Sequence, residues 1–417
     1  MIFLDSPRKR LFVFFLAATA LAIRISYIYR HYDPLVGDGR SYQACAEHFL
    51  QGKWLDHNFT CSGHPPGFAA LLALEYAALG THCAVGIACN LLITLAGIWM
   101  AGLLAKELAG EKAGWIALIL SVVYYDSIRD GQILLADPAF NFLLAAGTLF
   151  LLRSREDQDW AAGTILLGLS SWFRAITEPL ILWLPAWIFF REGCGIRSLK
   201  KSAFCFLLFL LSLSPAIIRN SLTHHHLVGV ATDGGITFWP SNYAGSKGDW
   251  NLAGVPTQDP RFLALPEWQR DQAYYREGFK SLAQQPLSRI MKREVFKIFG
   301  MLYPFLPEYD YSFVFCLPFF LLALLRPLFS KHQEKTSWGP IYLMVLNSIF
   351  VTLLFNGYPH ARTPLNWIIL AVSGVGLEAA WNMAHCRLWI WVWGIFNLAL
   401  WSTSEPLRLW LKAALKY

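Results

Sequence analysis

Long apolar runs separated by short polar stretches recur along the whole chain. A transmembrane helix needs about 20 mostly apolar residues, and eleven segments approach that length, although two of them are short. The pattern predicts an all-α integral membrane protein with about 11 (10–13) transmembrane helices. The segments are 11–29, 84–105, 113–127, 134–152, 160–176, 178–190, 202–219, 309–325, 338–356, 363–381 and 388–403.

The distribution of Lys and Arg over the short loops predicts the orientation. With a cytoplasmic N-terminus, the inner loops carry Lys and Arg at more than twice the density of the outer ones. Bulky residues 27–30, and no small-residue cleavage site, follow the first apolar segment. We therefore expect that segment to be retained as an anchor, in a multi-pass protein of the cytoplasmic (inner) membrane.

We interpret residues 1–417 as one membrane domain. Two of its outer regions, 30–82 and 220–308, are longer than connectors between helices need to be. Long loops in compact proteins usually carry function. Inside the second, apolar residues repeat at helical spacing over 287–302, and basic residues lie mostly off that stripe. This predicts an amphipathic helix in the membrane interface, its basic face toward lipid head groups. A helix that packs onto its own loop fits equally well.

Composition narrows the class of protein. Of the 417 residues 55% are hydrophobic and 15% are charged, and the mean hydropathy is +0.40. Since soluble domains carry about 25% charge, a soluble enzyme is excluded. The net charge of +7 is scattered, so we expect no nucleic-acid partner. The eight Cys contain no CxxC pair. Cys45, Cys61 and Cys83 lie in the first outer region or at its edge, where a disulfide can form, and the pairing stays open.

Asp38 is the strongest candidate for chemistry. It lies in a Gly37-Asp38-Gly39 turn just beyond the outer end of the first apolar segment, before a short amphipathic stretch that contains Tyr42. A carboxylate held there could take a proton from a hydroxyl that arrives from the aqueous side. By spacing alone, an ordinary helix cap or turn aspartate is the more frequent explanation.

Other charged residues lie at the same outer level. Asp137, followed by Pro138, is either an ionisable group at the membrane boundary, functional by default, or a helix cap. Arg174, Arg219 and Arg362 occur at outer helix ends. Each arginine could extend harmlessly to the interface or bind a phosphate with its guanidinium fork. The group as a whole predicts a site better than any member does.

These residues together resemble a known family. Six features occur in order over about residues 10–380. They are the first-loop Asp38 followed by Tyr42, the His-Pro-Pro-Gly-Phe block at 64–68, Asp137 at the start of the fourth helix, Arg174 at the end of the fifth, the pattern at 232–250 and the block at 360–364. They are similar to polyprenyl-phosphate-dependent glycosyltransferases of the GT-C superfamily, near the protein O-mannosyltransferases and the lipid A aminoarabinose transferase. Gly39 stands where many relatives have Glu, Asp137 where Glu is common, and the block around Arg362 lacks its Tyr.

The resemblance implies an inverting transfer of a sugar from a polyprenyl-phosphate donor to a hydroxyl of a lipid, glycan or protein, on the periplasmic side. Asp38 would be the general base, and a divalent cation such as Mg²⁺ or Mn²⁺ could assist, although no ligand set demands one. A polytopic transporter or flippase is the alternative, because it too needs many helices and intramembrane charges. The implied site comprises catalytic Asp38 and Asp137, phosphate-binding Arg174, Arg362 and Arg219, and substrate-binding Tyr42, His64 and Asn242.

Overall fold

The computed structural model describes residues 5–154, 157–305, 308–325, 327 and 338–415, and the predicted cytoplasmic loop 326–335 therefore lies outside it apart from Pro327. Within these ranges the regular structure is helical, with one isolated bridge between Phe305 and Tyr309. The α-helices are α1 (Pro7–His31), α2 (Gly39–Leu50), α3 (Gly67–Leu79), α4 (Cys83–Ala109), α5 (Glu111–Val122), α6 (Tyr125–Arg129), α7 (Asp137–Arg153), α8 (Asp157–Ser170), α9 (Leu180–Arg191), α10 (Ile196–His224), α11 (Gly234–Asn242), α12 (Pro260–Leu263), α13 (Glu267–Ala283), α14 (Leu287–Met301), α15 (Tyr311–Leu325), α16 (Gly339–Leu354), α17 (Asn366–Asn382), α18 (Ala384–Ser402) and α19 (Ser404–Leu415).

Among the described residues, four helical stretches are long and apolar enough to cross a membrane. They are α1, α4, α10 and the continuous stretch Pro359–Asn382, which ends in α17. The predicted all-helical membrane protein is confirmed, but the count of eleven spans is not. The predicted span 113–127 is divided between α5 and α6, and α5, α7, α8 and α9 have only 12 to 17 residues. At 1.5 Å per residue such helices measure about 18–26 Å, less than the ~30 Å hydrocarbon layer.

A buried arginine accounts for the break between α5 and α6. Arg24 of α1 is fully buried and donates to the carbonyl oxygens of Ser121 and Val122 at 3.2 and 3.0 Å. It also donates to Ser127 Oγ at 2.7 Å. The last carbonyls of a helix lack intrahelical partners, so the guanidinium stabilises the end of α5. The chain can then turn into α6 and the segment that follows it.

Helix α17 lies in the centre of the molecule. It packs against α4, α5 and α15, and most of its residues are buried. Close approach requires Gly376, because a Cβ there would lie 1.9 Å from the carbonyl oxygen of Phe319. Asn366 at the start of α17 donates to buried Asp126 of α6 at 2.8 Å. This packing places segment 358–365 between the two outer regions.

The first outer region is a helical hairpin held by a disulfide. Helix α2 buries Tyr42, Cys45 and Phe49 against α3, and Cys45 is bonded to Cys61. Cys83 is outside this pair and donates from Sγ to Gln43 Oε1 at 2.7 Å. The pairing that the sequence left open is therefore Cys45 with Cys61.

The amphipathic helix α14 packs onto its own outer region, which is one of the two arrangements that the sequence left open. Arg293 and Lys297 are buried: Arg293 donates to Gln285 Oε1 at 2.7 Å and Lys297 to Asn242 Oδ1 at 2.9 Å. The apolar stripe is exposed instead. The expectation that these two basic residues face lipid head groups is wrong, because the second outer region supplies buried acceptors for them. The exposed stripe residues are Leu287, Met291, Val295 and Phe299.

Candidate active site

A cavity of about 730 Å³ lies between the two outer regions, segment 358–364 and the outer ends of α9 and α16. Its wall combines a cluster of ionisable side chains with a larger apolar part from α9, α16 and the second outer region. Such a cavity suits a ligand that has a polar head and an apolar remainder. The ionisable lining residues are Asp38, His64, Arg174, Glu178, Asp233 and His360.

Asp38 lines this cavity with a half-exposed carboxylate. Although it is the N-cap residue of α2, its side chain makes no capping hydrogen bond. The preceding Gly37 adopts a positive φ of 57°, which glycine tolerates best and which turns the chain into the helix. A Cβ at Gly39 would lie 2.4 Å from the carbonyl oxygen of Pro34. A larger residue at position 39 would therefore require the backbone to shift.

His64 joins the two outer regions beside Asp38. Its Nε2 lies 3.7 Å from Asp38 Oδ1, and its Nδ1 lies 3.1 Å from Asp233 Oδ2 of the second outer region. The Tyr42 ring packs on the imidazole at a centroid distance of 5.1 Å. Burial lowers the pKa of His64, but the hydrogen bond to Asp233 and the two nearby carboxylates outweigh burial, so the pKa is raised overall.

Arg174 is the cation of the cavity wall. Its Nη2 donates to Asp137 Oδ2 at 2.5 Å and to His360 Nε2 at 2.8 Å. Since His360 Nε2 accepts, the network assigns the ring proton to Nδ1, which lies 3.2 Å from Thr363 Oγ1. The buried Nε of Arg174 has no hydrogen-bond partner among the described residues. Asp137 is buried at the start of α7 and does not line this cavity. Its carboxylate holds Arg174 in place.

A second cavity of about 500 Å³ lies on the other side of Asp38. Tyr27 and His31 at the end of α1 form part of its wall, as do Arg129 and the segment after α6. Asp38 and His360 line both cavities. The carboxylate of Asp38 therefore lies where groups from the two cavities can meet, and the sequence indicated neither the second cavity nor the role of His360.

The other predicted site residues lie outside both cavities. Tyr42 is buried beneath His64. Arg219 donates to the carbonyl oxygens of Trp54 and Cys61 and so ties the first outer region to α10. The Asn242 side chain accepts from Lys297 and donates to the carbonyl oxygen of Leu354 at 2.9 Å. These contacts support the walls of the site.

Arg362 is fully buried away from the cavities. It donates to Asp310 Oδ2 at 2.8 Å and to the carbonyl oxygens of Met301 and Tyr303, and its guanidinium lies 4.0 Å from the Phe313 ring centroid. Asp310 also accepts from the backbone N–H of Phe313 at 3.0 Å, in the first turn of α15. The predicted phosphate role of Arg362 receives no support from this position.

We expect Arg362→Met to lower the free energy of unfolding by about 3–5 kcal/mol, because it leaves the Asp310 carboxylate buried without its cation. Thermal unfolding in detergent checks this. The double variant Arg362→Met/Asp310→Leu should recover much of the loss, since both buried charges are removed. A double variant less stable than the single one would contradict a structural role for the pair.

The described residues do not provide a ligand set for a divalent cation. No group of three or more His, Cys, Asp or Glu side chains within the described ranges is arranged to hold a metal ion. Asp137 already has the Arg174 guanidinium at 2.5 Å, so its negative charge is compensated. Gly39 contributes no carboxylate beside Asp38. The residues therefore do not fit the cation that the resemblance allowed.

Removal of divalent cations should accordingly leave most activity in place. For the transfer reaction that the resemblance implies, we expect detergent-solubilised protein treated with EDTA to keep more than half of the rate, because Arg174 supplies the positive charge at the cavity wall. The rate is measured before and after chelation. A loss of tenfold or more that Mg²⁺ or Mn²⁺ restores would contradict this expectation.

No family model matches the chain, and neither does any curated protein. Solved structures do. The oligosaccharyltransferase AglB of Archaeoglobus fulgidus in its apo form aligns with 95% of this chain at a TM-score of 0.56 and 12% identity. The chain shares the fold of an archaeal oligosaccharyltransferase. This confirms the fold that the resemblance implied.

The fold match covers only part of the archaeal enzyme. The chain spans about half of its length, 55% in both the apo form and a complex with an inhibitory peptide and a dolichol-phosphate. The complex matches at 13% identity and a TM-score of 0.53. The alignment with ArnT of Cupriavidus metallidurans bound to undecaprenyl phosphate covers 88% of this chain and 78% of the ArnT chain, at 13% identity and a TM-score of 0.44.

Proposed function

We propose that this protein is a membrane-embedded inverting glycosyltransferase that moves a sugar from a polyprenyl-phosphate donor to an acceptor hydroxyl. The observation that carries the proposal is the position of Asp38. Its half-exposed carboxylate lies on the border of two cavities, on a chain that folds like a glycan-transferring enzyme. A base between two binding spaces is what transfer between two substrates requires.

The first cavity suits the donor. Arg174 provides a fixed cation with an unpartnered buried Nε, and a guanidinium pairs well with phosphate. The apolar part of the wall comes from Ile181 of α9, Val351 of α16 and nearby residues, and it gives a polyprenyl tail an apolar path. The archaeal structure that contains a dolichol-phosphate supports a lipid phosphate as the donor carrier.

The reaction then follows from this arrangement. Asp38 takes the proton from the acceptor hydroxyl while the hydroxyl oxygen forms a bond to the anomeric carbon of the donor sugar. The bond from that carbon to the donor phosphate breaks on the opposite face. The transition state is oxocarbenium-like. Arg174 stabilises the charge that develops on the departing phosphate. Asp137 and His360 position Arg174, and His64 positions Asp38.

We also propose that this site faces the periplasm and that the N-terminus is cytoplasmic, in the inner membrane. The excess of Lys and Arg in the opposite loops supports that orientation. The Cys45–Cys61 disulfide supports it as well, because disulfides persist in oxidising compartments. A transporter is less well supported, because the charged side chains gather at two cavities on one side of the helices.

The test is transfer by purified protein in lipid nanodiscs. A panel of undecaprenyl-phosphate-linked hexoses and pentoses, each labelled in the sugar, is supplied together with an envelope extract as acceptor. We expect the labelled sugar of one donor to appear on an acceptor in the extract, and we expect no transfer from nucleotide sugars. Transfer from nucleotide sugars alone, or movement of unaltered donor across the bilayer without transfer, would contradict the proposal.

A further inference from the structure

Two buried oxygen atoms in the wall of the second cavity have no hydrogen-bond partner among the described residues. They are Asp130 Oδ2 and Gln132 Oε1. Asp130 is only 3% exposed. Buried polar atoms in folded proteins are nearly always hydrogen-bonded. Gln132 Oε1 can only accept a hydrogen bond, and Asp130 Oδ2 accepts one when its carboxyl is ionised. The cavity therefore suits a ligand that can donate hydrogen bonds to both atoms.

The charge of the second cavity is negative. Asp38, Asp130 and Glu308 line it, and the nearby cation Arg129 is already paired with Asp130 at 2.6 Å and with Asp126 at 3.4 Å. Burial raises the pKa of Asp130 to about 7, against the opposing effect of Arg129, so this carboxyl contributes less than a full negative charge at neutral pH. A phosphate or carboxylate in this space would meet like charge, which disfavours anionic ligands.

Aromatic rings form another part of the wall. The Tyr27 ring stacks on His31 at a centroid distance of 4.5 Å and meets Tyr125 edge-on at 6.3 Å. Tyr125 donates its hydroxyl to Glu308 Oε2 at 2.8 Å. The cavity thus offers flat apolar faces next to hydrogen-bond acceptors, and a sugar ring has apolar C–H faces and a rim of hydroxyls.

We propose that the second cavity binds the acceptor, and that the acceptor is a carbohydrate without a phosphate near its reacting hydroxyl. This rests on the function proposed above. The reacting hydroxyl gives its proton to Asp38, its oxygen bonds to the anomeric carbon, and the donor phosphate leaves with the bonding electrons. Neighbouring hydroxyls donate to Asp130 and Gln132. A serine or threonine side chain brings a single hydroxyl, whereas a sugar brings several on adjacent carbons.

The class of product tests this proposal. Nanodisc-bound protein is given the labelled undecaprenyl-phosphate sugars with an envelope extract separated into uncharged glycan, phosphorylated lipid and protein. We expect label in the uncharged glycan. Label in protein or in phosphorylated lipid would overturn the acceptor class and leave the transferase function intact. No transfer to any fraction would overturn both.

The cavity itself is tested by Gln132→Leu and Asp130→Asn, with the uncharged glycan as the varied substrate. We expect the KM for acceptor to rise about tenfold in each variant, with the KM for donor unchanged. The melting temperature should stay the same in Gln132→Leu and fall in Asp130→Asn, because the second change weakens the buried ion pair with Arg129. Gln284→Leu, at an exposed position outside both cavities, is the matched control. Unchanged acceptor KM in both variants, or equal changes in both KM values, would overturn the assignment of this cavity to the acceptor.

Discussion

Asp38→Asn should lower the transfer rate by about 10²–10⁴-fold, which is the contribution typical of a positioned general base. The amide keeps the size and the hydrogen-bonding reach of the carboxylate but cannot accept a proton. His64 and Asp233 keep each other as partners, since they are bonded at 3.1 Å without Asp38. The measurement is the rate at saturating donor and acceptor, together with the KM for donor, which should change little.

Asp33→Asn is the matched control. It makes the same chemical change five residues earlier, at an exposed position that lines neither cavity. Its rate should equal that of the unaltered protein. If Asp38→Asn retained more than a tenth of the activity, the assignment of the general base would fall, and His64 or Asp233 would become the next candidate.

Arg174→Ala should lower the rate by about 10²–10³-fold, because a fixed hydrogen-bond donor to a developing charge typically contributes about 2.7–4 kcal/mol. The substitution also leaves Asp137 buried without its cation, so the loss has two possible origins. The double variant Arg174→Ala/Asp137→Asn separates them, since it removes the uncompensated charge and does not restore the phosphate contact.

We expect the double variant to unfold at a temperature near that of the unaltered protein and to remain inactive. Recovery of activity in the double variant would mean that Arg174 only neutralises Asp137. Arg40→Ala, at an exposed position on α2 outside both cavities, should keep full activity and serves as the control for loss of a surface arginine.

Arg174 and Arg362 show which contacts of an arginine the local sequence can and cannot predict. Both follow or begin an apolar segment at the outer side, and both were predicted to bind phosphate. In the structure Arg174 lines the first cavity, whereas Arg362 is buried against Asp310, 52 residues away along the chain. Which acidic partner an arginine meets depends on how α15, α17 and the outer regions pack. The residues adjacent to an arginine in the sequence therefore do not predict which acidic residue it contacts.

Helix α14 gives a second example. Its apolar repeat predicted an amphipathic helix correctly, because helical spacing alone determines which side chains share a face. It did not predict which face turns inward. Asn242 and Gln285 offer buried acceptors to Lys297 and Arg293, and those partners hold these two basic residues inside, while Arg289 and Lys292 stay exposed. The number of spans is not confirmed for a related reason, since Arg24 stabilises a break within one predicted segment.

The sequence by itself determined the class of protein: a helical chain too apolar for water, with Asp38 in a glycine turn next to the first span. These properties follow from composition and from contacts within a few residues. The tertiary structure alone decided that Asp38 borders two cavities, that Arg174 rather than Arg362 faces the first of them, and that Asp130 and Gln132 face the second. Those are contacts between helices distant along the chain, and the packing of the whole molecule is what brings them together.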